Sequence, residues 1–173
     1  MTLYQLEKKR LHVSYYYFII AIFMYAYFVQ TQNQASIQKF TLDAAGLSGP
    51  ATPVSFWHSA FWVGLAAETI YLNFRLFWIR ERDHLSFLPR KYDTLPILQK
   101  DLYLAKAKVM VKIFSIYMVL SVLIYYFVIF SMFEDRAIWK PSIPEIVVSI
   151  VLGLCFILAL LGIDWIQDIR TAN

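Results

Sequence analysis

Apolar residues fill four stretches of this chain too long to be ordinary core segments, and polar or charged residues separate them. The stretches are 11–29, 56–79, 108–133 and 145–163, and each is close to the ~20 helical residues that cross a hydrocarbon core. Between them lie a polar, almost uncharged segment at 30–55, a charged central loop at 80–107, and a short segment at 134–144. The pattern predicts an all-α polytopic membrane protein: one transmembrane domain over 1–173, a bundle of four transmembrane helices. Gln30 to Ser55 reads as an external loop, closed by Pro50 and Pro53, with a short surface helix over Ile37 to Leu47. The third helix begins before its span, because Lys106, Lys108 and Lys112 give its start a basic, amphipathic character. The fourth begins just after Pro144 with Glu145 in its first turn, as a helix N-terminus favours.

Composition supports this division. The 173 residues are 60% hydrophobic and 18% aromatic, against roughly 45–50% apolar in a soluble domain. The charge distribution gives the orientation. Lys8, Lys9 and Arg10 precede the first span, and Arg75, Arg80, Arg82, Arg90, Lys91, Lys100, Lys106, Lys108 and Lys112 surround the central loop. The other two loops hold only Lys39, Arg136 and Lys140. This bias predicts a cytoplasmic central loop and both termini cytoplasmic. The first apolar run spans a full bilayer and no small-residue cleavage site follows it, so it reads as a retained span rather than a removable leader.

The residues with chemistry are few. Glu68 lies deep in the second span, where an ionisable group is costly and marks function by default. Arg75 is seven residues on, on the same helical face. One reading is a polar point on a translocation path or a proton-sensitive switch, and the other is a carboxyl tying helices together. Asp164 and Asp168 share a helix face and read as a solvated polar end, with Asp164 free to pair with a base of the central loop. The first span holds Tyr15, Tyr16, Tyr17, Tyr25 and Tyr27, too many for headgroup anchors alone, so some face neighbouring helices. His12, His58 and His84 lack ligand spacing, and Cys155 is the one cysteine. No metal site, cofactor motif, nucleophile elbow or phosphate-cradling glycine loop is present. The chain reads as neither an enzyme nor a nucleic-acid binder.

The central loop carries the remaining information. Arg80-Glu81-Arg82-Asp83 has the mixed charge of a short helix lying along the membrane. Further on, Leu95-Pro96-Ile97-Leu98-Gln99-Lys100-Asp101-Leu102-Tyr103-Leu104-Ala105-Lys106 places a proline before a basic helix start. The loop resembles the coupling loop of type-2 ABC exporter permeases, with the basic position slipped by one residue to Lys100 and with four spans instead of six. The resemblance implies a coupling helix that docks, through Arg80, Glu81, Arg82, Leu95, Pro96 and Lys100, onto a separate cytoplasmic ATPase. The expected function is then a non-catalytic, permease-like subunit of a transport complex in a bacterial plasma membrane, with membrane lipid and other membrane subunits as partners. An accessory or assembly subunit of a respiratory or secretion complex, and a small bacteriocin-immunity-like protein, remain open.

Overall fold

The computed structural model describes residues 3–11, 14–46, 54–81, 84–89, 98–133 and 142–172. Helix dominates them. A short helix α1 (Leu3–Arg10) precedes four long ones, α2 (Ser14–Ala45), α3 (Ser59–Phe77), α4 (Gln99–Met132) and α5 (Ile143–Ala172). Two four-residue strands, β1 (Trp78–Glu81) and β2 (His84–Phe87), lie between α3 and α4.

The long helices form an up-down-up-down bundle. Gln30 meets Ser59 and Tyr16 meets Tyr71, so α2 and α3 are antiparallel. Met24 faces Ser121, so α4 runs with α2, and Asn73 bonds Asp164 while Trp57 bonds Ser149, so α5 runs with α3. The starts of α2 and α4, the ends of α3 and α5, and the β-hairpin therefore share one end. α1 packs on α4 at this end and buries Glu7; the sequence there allows either a short interfacial helix turn or a basic flank, and the segment is helical.

Aromatic rings share the core with branched aliphatics and form a continuous cluster within it. Tyr27, Phe56, Phe61, Tyr117 and Tyr125 are fully buried and meet at centroid distances of 5.0–5.9 Å, several edge-to-face, the arrangement that ring quadrupoles favour. Close helix approach depends on two glycines. A β-carbon at Gly64 would lie 2.5 Å from the Tyr117 hydroxyl and 2.9 Å from Phe23, and one at Gly153 would overlap the Phe114 ring. The tyrosines of the first span divide as expected. Tyr16 and Tyr27 are buried against neighbouring helices, whereas Tyr15, Tyr17 and Tyr25 are exposed.

Two helices, Gln99–Met132 and Ile143–Ile169, are long and apolar enough to cross a membrane. α2 and α3 fall short of that measure of length and hydropathy: α2 ends in a more polar run, and Glu68, Asn73 and Arg75 interrupt α3.

Two expectations are corrected. The polar stretch after residue 29 does not leave the helix, and α2 continues for 32 residues to Ala45. Gln, Ser and Thr are tolerated at exposed helical sites, and here Ser36 and Thr41 return their hydroxyls to the carbonyls of Gln32 and Gln38. The stop comes at Gly46, whose φ of 67° is open to glycine at little cost. The second correction concerns Arg80 and Glu81, which lie in strand β1 and not in a helix. β1 pairs antiparallel with β2, in the register Trp78↔Phe87, Ile79↔Ser86, Arg80↔Leu85 and Glu81↔His84. Aromatic and branched residues at both ends of this run favour a pleated pair over a charged helix. Arg82, Leu95 and Pro96 lie outside the described residues.

Candidate functional site

The hairpin end of the bundle gathers most of the buried charge. α3 ends at Phe77, and β1 begins at the next residue. Phe77 is buried and takes three neighbours on its ring: Phe87 of β2 at 6.2 Å, Tyr103 of α4 at 5.4 Å, and the Lys106 ammonium at 4.1 Å from the centroid. Trp78 lies 5.2 Å from Phe87, so the hairpin is held on the bundle by rings on both strands.

Lys106 has 0% of its surface exposed. A desolvated ammonium over an aromatic face gains about 2 kcal/mol, too little to offset burying a full charge. The balance comes from anionic groups, and Lys106 lies close enough to Asp164 to act on its carboxylate. Asp164 accepts a 2.7 Å bond from the Asn73 amide, and the Tyr103 hydroxyl donates to Asp168 Oδ2 at 3.2 Å and to the Asp164 carbonyl at 3.3 Å. Asp164 and Asp168 are 4% and 5% exposed, which corrects the reading of a solvated tail. α5 continues through both residues, turning them onto α3 and α4, where partners are available. Asn73, Tyr103, Lys106, Asp164 and Asp168 together lock three helices beneath the hairpin. Lys100, by contrast, is exposed in the first turn of α4.

Glu68 is different. It is 3% exposed, and neither carboxyl oxygen has a hydrogen-bond partner among the described residues. Arg75 does not reach it: the guanidinium is on the surface, one wall of a groove at the α2–α3 seam. The same-face spacing of the two residues is real, but two turns of helix separate a buried acid from an exposed base. An unpaired buried carboxyl detracts from stability, so the helix-tying role has no bond to support it here.

The opposite end is sealed by neutral groups around one acid. Tyr125, Tyr27 and Tyr117 donate to the backbone carbonyls of Val54, Phe56 and Phe61 at 2.6, 3.1 and 2.8 Å. Glu145 accepts from the Phe56 amide at 2.6 Å and from Ser55, while Gln30 accepts from the Ala60 amide at 3.0 Å. Gln30 thereby meets one of the amide donors that the start of α3 leaves unpaired. His58 is half-buried beside Tyr27, at the other end of α3 from His84 in β2. Among the described residues, no three His, Cys, Asp or Glu side chains cluster as a metal site would require.

Sequence reasoning anticipated a base of the central stretch beside Asp164, which is Lys106, but missed the rest of the hairpin lock, although its signals were present. Tyr103 and Lys106 are three residues apart on one face of α4, as are Asp164 and Asp168 at four on α5. Their coming together depends on helix order and register. Comparison with protein-family models, with curated proteins and with solved structures finds no match for this chain.

Proposed function

We propose that this chain is a non-catalytic integral membrane subunit of a transport complex, crossing the bilayer four times with α2 to α5 and holding its hairpin end in the cytoplasm. The excess of lysine and arginine around that end supports the orientation. The 19 residues of α3 span ~29 Å, close to the ~30 Å of a hydrocarbon core. The reading is carried by one observation, the seamless passage of α3 into a hairpin whose Phe87 stacks on Phe77, a residue that also meets Tyr103 and Lys106 of α4. A partner that pushes on the hairpin therefore moves three helices at once. The resemblance to the coupling loop of ABC exporter permeases supplies the partner in this proposal: a separate cytoplasmic ATPase in a bacterial plasma membrane, contacting Arg80, Glu81 and Arg82. In this form the coupling element is a strand pair in place of a coupling helix.

The exposed apolar face of α5, which includes Val147, Val151, Leu154 and Leu158, favours a second reading. In it the chain is an accessory subunit of a larger membrane complex, and this face packs against another subunit's spans.

Mild-detergent purification of the tagged chain, with mass spectrometry of its companions, separates the two readings. A co-purifying ATPase that is lost on reversing charge with Arg80→Glu supports the transport reading. Companions limited to other membrane subunits, unaffected by that substitution, would replace it with the accessory reading.

A further inference from the structure

We propose that the groove between the start of α2 and the hairpin end of α3 binds the phosphate group of an anionic membrane lipid. The groove has a volume of about 250 Å³ and is lined by Leu11, Tyr15, Tyr16, Tyr71 and Arg75. Four of these five side chains carry hydrogen-bond donors, and one is a permanent cation. The Arg75 guanidinium offers a planar fork of N–H donors that matches two phosphate oxygens. The Tyr16 hydroxyl is buried beside Arg75 and interacts with it, so it helps to hold the guanidinium at the wall of the groove. Glu68 also lies near Tyr16 but does not line the groove, and none of the described residues that line it is an anion.

The surroundings favour a lipid over a soluble phosphate ester. Phe18 and Ile22 follow Tyr15 at three and seven residues along one face of α2, and both are exposed. They form an apolar path leading away from the groove along the bundle, which suits an acyl chain and not a water-soluble group. α1, which carries Lys8, Lys9 and Arg10, ends at the residue before Leu11. Basic residues at that depth are drawn to anionic headgroups of the cytoplasmic leaflet. The assignment rests on the membrane reading, but not on the transport reading, because it needs no partner protein.

The test uses the full chain purified in a neutral detergent, titrated with phosphatidylglycerol, phosphatidylcholine and glycerol phosphate, with thermal midpoint and native mass spectrometry as readouts. Phosphatidylglycerol is expected to raise the midpoint and to remain bound, and phosphatidylcholine to do neither. Arg75→Gln should weaken phosphatidylglycerol binding by about tenfold or more, since it removes the cation that pairs with the phosphate, and Tyr16→Phe by a few-fold, since it removes only a group that positions that cation. Both variants should melt like the parent without lipid, because one residue is exposed and the other loses only a hydroxyl. Equal binding of phosphatidylcholine, or unchanged phosphatidylglycerol binding in both variants, overturns the proposal. If glycerol phosphate displaces the lipid at equal concentration, the lipid source is overturned in favour of a soluble phosphate ester. A failure to recover any ATPase leaves these outcomes unchanged.

Discussion

The two ends of the bundle solve the same problem, burying polar groups, with different chemistry. At the end built around Val54 to Ala60, tyrosine hydroxyls satisfy backbone carbonyls, and Glu145 and Gln30 satisfy backbone amides. Most of these bonds are neutral pairings of fixed geometry, each contributing about 1 kcal/mol. At the hairpin end, an ammonium, two carboxylates, an amide and a phenol share one buried cluster. Such a cluster is worth more when complete and costs more when one member is missing. The first end relies mostly on bonds that change little with surrounding charge, and the second on charges that must balance one another.

Four single substitutions and one double variant probe that difference. Lys106→Met leaves Asp164 buried without its cation and should lower stability by about 3 kcal/mol, read by denaturant unfolding in detergent. Adding Asp164→Leu should restore most of the loss, and a double variant as unstable as the single one would show that the charges do not act together. Phe87→Ala removes the ring that seats the hairpin on Phe77, for about 2–3 kcal/mol. Its effect should be local, with faster amide exchange over 78–87 and unchanged protection at 117–128. Glu68→Met has the opposite sign. Replacing an unpartnered buried carboxyl with an apolar group of similar size should raise stability by about 1–2 kcal/mol, and a fall would reveal a partner for Glu68. The smallest effect, about 1 kcal/mol, belongs to Tyr125→Phe, which leaves the Val54 carbonyl without its donor. That loss should not vary with salt, whereas losses at the hairpin end should.

Much of the helical plan was legible in the apolar runs, because runs of that length have few other uses. The end of α2 was not, since its polar residues resemble a loop while nothing between Gln30 and Ala45 breaks a helix. Gly46 is the first residue that does, and it marks the end better than the change in polarity. The hairpin was hidden by its charges: Arg80 to Asp83 look helical alone, and only the flanking Trp78, Ile79, Leu85 and Phe87 show β character. For the polar cluster, the sequence placed Asp164 and Asp168 on one face but could not show what that face meets. Asn73 is 91 residues from Asp164, and Tyr103 is 65 from Asp168. Those contacts follow from tertiary register, which no local spacing encodes. The unpaired state of Glu68 was hidden for the same reason.

The unequal lengths of α2 and α3 have a consequence for where the protein can reside. α2, with 32 residues, measures ~48 Å, and α3, with 19, ~29 Å. The extra length of α2 is the more polar run from Gln30 to Ala45, so it extends the helix beyond its apolar part. On the four-span proposal α3, bounded by extended residues at His58 and Trp78, has no such extension, and a bilayer thicker than α3 would load the hairpin that follows it.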